Sequence, residues 1–155
     1  TQQELLLAEF IPMLEDNLKE PFNQQDIPLN IEFPGQVAKV NADPSRLKNI
    51  LSELMANASD AASETNGKVS MEIHNPGDFS PIEKNCVDIL VKNSGTTIPP
   101  DKLEQIWHPF YSSKDSSHFG IGLTTAAVLS SQMGMNLGVH SADNTTVFWL
   151  SIPAA

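Results

Sequence analysis

The chain has 155 residues, 40% of them hydrophobic and 18% charged, and carries a formal charge of −10 at pH 7. Such proportions suit one folded domain with a core of its own, and the charge argues against nucleic acid, whose phosphates need clustered Lys and Arg. The single cysteine, Cys86, excludes an internal disulfide and fits a reducing compartment, and no apolar run nears the ~20 residues of a membrane span.

From the N-terminus, residues 1–24 read as helical in part. Leu6, Phe10, Met13, Leu14, Leu18 and Phe22 suit one face, with Pro12 forcing a start or a kink. A start at Thr1 within such a segment suggests a domain belonging to a longer protein, the segment being continuous with the domain that follows over 25–155. IPLNIEF (27–33) and QVAKVN (36–41) read as short strands joined at Pro34-Gly35. The clearest helix follows. Asp43 suits the N-cap and Pro44 the first helical position, Leu47, Ile50, Leu51, Leu54, Met55 and Ala58 recur at helical spacing, and Asn66-Gly67 ends it. KVSMEIH (68–74) alternates as a strand, NPGDFSPIEKN is a loop, and CVDILVK (86–92) is the next strand. A short helix covers about 100–107, a second runs from near Gly122 to about Gln132, and LGVHS and TVFWLSI form a closing strand pair. This order predicts an α/β two-layer sandwich, one mixed β-sheet with helices packed on one face.

Three stretches could carry chemistry. In ELMAN, Glu53 and Asn57 are four residues apart and share a helix face, with Asn49 and Asp60 on the same stripe. The stripe reads either as a solvated face or as a carboxylate that orients a reactant beside an amide oxygen for Mg²⁺, a cation that takes few protein oxygens. In FGIGLTTAA, Gly120 and Gly122 precede a helical run, which is either a tight turn or an anion cradle of backbone N–H groups. In IWHPFYSSK, Trp107 and Phe110 are either core or pocket wall, and Lys114 is either a surface charge or a phosphate ligand. His74, His108, His118 and His140 lack zinc-ligand spacing.

The order ELMANASDAA, VKNSGTTIPP, IWHPFYSSK, FGIGLTTA resembles the N box, first glycine box, F box and second glycine box of the ATP-binding (HATPase_c, GHKL superfamily) domain of sensor histidine kinases, most closely the nitrogen-regulator type. The resemblance spans about residue 25 to Pro153 and implies the same α/β sandwich. It implies that Asn57 ligates Mg²⁺, that Glu53 acts as general base or polarises the attacking group, and that Gly95 lies at the adenine edge. It implies that Phe110 is the F-box aromatic, Lys114 a lid lysine, and that Gly120, Gly122 and Leu123 form the second glycine box at the phosphates. Thr146 matches a threonine lining the base pocket. The first box departs from the usual D-x-G-x-G: Asn93 and Thr97 stand where an acid and a second glycine are usual, and His118 replaces a glycine in the second. Asn93 can still accept from an adenine amine, without charge, whereas Thr97 restricts the backbone.

The resemblance therefore implies a catalytic domain that binds ATP and Mg²⁺ and donates the γ-phosphoryl group to a histidine on a separate dimerisation domain of the same protein. A response regulator acts downstream, the setting is cytoplasmic, and this domain makes no membrane contact. The alternative is a degenerate pseudokinase domain that keeps the fold and binds a protein partner. A stand-alone ATPase or a serine kinase of the anti-sigma type is a third, weaker reading. Weak ATP binding, poor selectivity for adenine, and a lid over residues 112–119 that orders on nucleotide are expected.

Overall fold

A computed structural model describes residues 1–78, 85–107 and 122–155. In chain order the elements are β1 (Gln3–Leu6), α1 (Leu7–Gln25), β2 (Leu29–Glu32), β3 (Lys39–Ala42), α2 (Pro44–Ser63), β4 (Val69–His74), β5 (Cys86–Ser94), α3 (Pro100–Leu103) with a 3₁₀ turn at Gln105–Trp107, α4 (Gly122–Gln132), β6 (Asn136–Ala142) and β7 (Thr145–Pro153). Five strands form a mixed sheet in the order β2-β4-β5-β7-β6, with β2 parallel to β4 and the other pairs antiparallel. The helices cover one face, so the predicted two-layer α/β sandwich is the fold.

Every second residue of each strand faces the helices. Val87, Ile89 and Val91 of β5 are buried toward the helices, beside Ile152, Leu150 and Phe148 of β7 and Met71 and Ile73 of β4. Against this face lies α2, whose Leu47, Ile50, Leu51, Leu54, Met55, Ala58 and Ala62 are all fully buried. Each large apolar side chain so placed contributes roughly 1.5–3 kcal/mol relative to exposure. The ends of α2 are built as its sequence indicates. Asp43 accepts from Arg46 N at 3.3 Å with Pro44 in the first turn, and at the far end Asn66 is left-handed (φ 53°) while Gly67 N donates back to Ala62 O at 2.8 Å. A side chain at Gly67 would meet Ser94 O at 2.6 Å, so this glycine lets the helix end pass close to β5.

Two local expectations are revised. The N-terminal segment starts as a strand, β1, and α1 then runs through both Pro12 and Pro21. The two strands flanking Pro34-Gly35 do not share one sheet: β2 joins the main sheet beside β4, whereas β3 pairs antiparallel with β1 in a sheet of two and bridges Ala154 through Val40. No helix among the described residues is long and apolar enough to cross a membrane.

Candidate functional site

The helix-facing side of the sheet changes character toward one end. Successive rows across β5, β7 and β6 read Ile89/Leu150/Leu137, then Val91/Phe148/Val139, then Asn93/Thr146/Ser141. The last row is polar and still enclosed, with Asn93 2% exposed and Thr146 3%. Thr145, one residue earlier, is exposed, so the alternation turns Thr146 inward.

Within this row Thr146 Oγ1 lies 2.7 Å from Ser141 Oγ, a pair that satisfies both hydroxyls. Asn93 is less well provided. Its Nδ2 donates to Ser94 O at 3.5 Å, the outer limit of a hydrogen bond, and its buried Oδ1 has no hydrogen-bond partner among the described residues. A buried amide oxygen left unmatched costs roughly 1–3 kcal/mol, so such an atom in a folded protein is ordinarily met by water, an ion or a ligand.

Next to Asn93 the chain turns at Gly95. Its φ of +152° is a conformation open to glycine and rarely to other residues. A Cβ there would lie 3.4 Å from both Ala61 O and Thr65 Oγ1, which places the turn against the C-terminal end of α2. Asn57 and Glu53 occupy the same helix one and two turns before Ala61, both half-buried, on the stripe that the spacing predicts. Asp60, on that stripe, accepts from Gln25 Nε2 of α1 at 3.1 Å, so this part of the stripe joins the two helices.

At the other end of the candidate site, Gly122 is buried at the start of α4 and Leu123 packs against the core. Thr124 Oγ1 donates to Trp107 O at 2.6 Å, which ties the start of α4 to the end of the 3₁₀ turn. Trp107 itself meets Phe148 edge-on, with ring centroids 5.9 Å apart and planes at 86°, a core contact. Phe110, Lys114 and Gly120, together with the expected lid at 112–119, lie outside the described residues.

The structure thus brings Asn93, Gly95 and Thr146 together at the polar end of the sheet beside the end of α2, and sets Glu53 and Asn57 on α2 itself. Sequence reasoning missed Ser141, whose hydroxyl completes the polar row. Its signal was the inward register it shares with Leu137 and Val139. The opposite face of the sheet carries a groove of about 500 Å³ lined by His74, Leu90, Lys92, His140, Val147 and Trp149. None of these comes from the polar row. Among the described residues no three His, Cys, Asp or Glu side chains converge to hold a metal ion.

This is a two-layer α/β domain with a polar, enclosed row of side chains at one end of its sheet. The chain belongs to the family of histidine kinase-, DNA gyrase B- and HSP90-like ATPases (HATPase_c), whose model matches residues 42–155. It is 33% identical over 120 residues to the sensor protein VanS of Enterococcus faecium, covering 74% of this chain and 29% of VanS. It is 28% identical over 154 residues to the sensor histidine kinase ZraS of Salmonella typhimurium, covering 99% of this chain and 31% of ZraS. The chain therefore spans about a third of the length of these relatives. Among solved structures, the nucleotide-free catalytic domain of histidine kinase ThkA superposes with a TM-score of 0.82 at 28% identity, covering 99% of this chain and 96% of that one. ThkA in complex with the response regulator protein TrrA matches with a TM-score of 0.79 at 25% identity, over 99% of this chain and 42% of that one.

Proposed function

We propose that this domain binds Mg-ATP in the pocket headed by Asn93 and supplies the γ-phosphoryl group to a histidine on a separate dimerisation domain, with a response regulator as the later acceptor. The observation that carries the reading is the buried Oδ1 of Asn93, which has no hydrogen-bond partner among the described residues. An acceptor so placed suits an exocyclic amine such as that of adenine, and the family membership and the ThkA likeness support the same ligand. Gly95 would let the base edge approach the backbone, and Thr146 would line the base pocket. Asn57 would offer one amide oxygen to Mg²⁺, which keeps most of its shell for phosphate and water. The metal supplies charge neutralisation at the phosphates. Glu53 would orient or polarise the attacking imidazole, while Phe110, Lys114, Gly120, Gly122 and Leu123 would enclose and bind the phosphate end. Phosphoryl transfer of this kind rests on positioning and charge stabilisation, so the domain by itself turns over little. A cytoplasmic setting follows from ATP as the ligand.

Calorimetric titration of the chain and its Asn93→Asp variant with Mg-ATP and Mg-GTP tests the reading. An uncharged acceptor gives weak ATP binding and, because Asn also carries an NH₂ donor, poor discrimination against a 6-keto purine. A charged acceptor strengthens the bond by about 1–2 kcal/mol. Asn93→Asp is therefore expected to tighten ATP roughly tenfold and to weaken GTP. No nucleotide binding by either protein would end the proposal.

A further inference from the structure

The turn after Asn93 reads Gly95-Thr96-Thr97-Ile98 and is fastened to the β6–β7 hairpin. That hairpin closes through Asp143-Asn144, with φ of 52° and 58°, the pair of left-handed residues a two-residue type I′ turn requires. The strand ladder ends at the Ala142–Thr145 pair, so the N–H and C=O of Asn144 fall outside it and would ordinarily face water. Here both are used. Gly95 N donates to Asn144 O at 3.0 Å, and Asn144 N donates to Thr97 Oγ1 at 2.8 Å. One residue further, Ile98 N donates to Ser141 Oγ at 2.8 Å, and that same hydroxyl lies 2.7 Å from Thr146 Oγ1. Residues 95–98 are held to the hairpin at three points, and the third leads into the polar row that contains Asn93.

The hydroxyl of Thr97 is the only side-chain group of the turn in this fastening among the described residues. Glycine or alanine there would leave the contact unmade. The chain thus carries, where its resemblance leads one to expect a second glycine, a residue that ties the turn down. Asn144 is exposed, so its N–H can turn to water when Thr97 Oγ1 is removed. Loss of the tether should therefore cost the fold little and the order of the turn more.

We infer that Thr97 is a positioning residue, which with Ser141 and Asn144 holds the 95–98 turn in its ligand-accepting form before nucleotide arrives, so that binding need not order it. This rests on the ATP-binding reading above. It also changes what Thr97 means: its Cβ restricts the backbone, and its hydroxyl makes that restriction serve the bound form. An affinity lowered by an uncharged Asn93 is partly restored by a turn that loses less freedom on binding.

The test compares Thr97→Val, which keeps the shape and removes the acceptor, with Thr97→Ser, which keeps the acceptor, in the 155-residue chain. Three quantities are read: Mg-ATP affinity by calorimetry, amide exchange of Asn144 without nucleotide by NMR, and melting temperature. Thr97→Val should weaken Mg-ATP about fivefold, as expected for one neutral hydrogen bond, and speed Asn144 exchange, with the melting temperature nearly unchanged. Thr97→Ser should stay within about twofold of wild type in affinity, because it preserves that bond. Wild-type affinity in Thr97→Val, or equal weakening in both variants, overturns the inference. A wild-type chain that binds no Mg-ATP overturns the function itself, and that is seen before any Thr97 variant is made.

Discussion

Asn57 and Glu53 sit one helical turn apart on α2, yet they should fail differently when changed. Asn57 offers an amide oxygen and no charge. Its proposed work is to hold the metal, so Asn57→Ala should abolish Mg²⁺-dependent nucleotide binding while the helix, whose opposite stripe is fully buried, stays folded. Glu53→Gln keeps the size and the hydrogen-bonding reach but removes the negative charge. Binding should persist, and phosphoryl transfer in the full-length protein should slow by about 10²–10⁴-fold. Calorimetry and single-turnover transfer separate the two. An Asn57→Ala protein that binds with Mg²⁺ as wild type does, or a Glu53→Gln protein that transfers at the wild-type rate, returns that residue to a solvated helix face. The pair was legible because four-residue spacing on a helix is a local property. The missing partner of Asn93 was not, since it depends on what three strands and the end of α2 bring to one point. Nor was the tether at Thr97, because a hydroxyl meeting a peptide group 47 residues away leaves no periodic trace.

The same distinction between local and distant holds for whole elements. The buried stripe and both ends of α2 followed from its own residues. By contrast, β1 reads as helix, since Gln3-Glu4-Leu5-Leu6 are good helix formers, and it is a strand because β3 lies alongside. In the same way Pro34-Gly35 joins two short strands that read as members of one sheet, but β2 finds its partner in β4, about 40 residues on, and β3 finds its partner in β1. The β4–β5 pair allows a prediction on the outer face. Glu72 takes hydrogen bonds from Lys92 Nζ and His74 Nε2, each at 2.9 Å. Burial raises its pKa, but the hydrogen bonds from Lys92 and then His74, with their charges, outweigh it and hold the carboxyl below its usual value. The folded pKa is thus depressed. The stabilisation is present above the unfolded value and lost as pH falls through the folded one. Glu72→Gln should cost about 0.5–1 kcal/mol near neutral pH, the scale of a partly exposed ion pair, and less at an acid pH below the folded pKa. Urea unfolding at both pH values checks this, and an equal cost at both would show that the pair contributes shape rather than charge.

At the scale of the whole molecule, the proposed function has a chain of net charge −10 bind a polyphosphate. Nine Lys and Arg are set against nineteen Asp and Glu, so long-range electrostatics repel the ligand, and the attraction must be local. On the proposed reading, Mg²⁺ would remove two of the nucleotide's negative charges and Asn57 would hold it, which would make the metal a condition of binding rather than an aid to it. The fold offers a direct readout, because a ligand at free concentration L that binds only the native state stabilises it by RT ln(1 + L/Kd). At a concentration about 100 times the dissociation constant the gain is about 2.7 kcal/mol, which for a domain of this size raises the melting temperature by roughly 5–10 °C. Mg-ATP should produce that rise. ATP with a chelator should produce almost none, and Asn57→Ala should show no rise in either condition. Were ATP to stabilise the chain equally with and without metal, the phosphates would have to be held by protein cations alone, and the assignment of Asn57 to the metal would fall with that result.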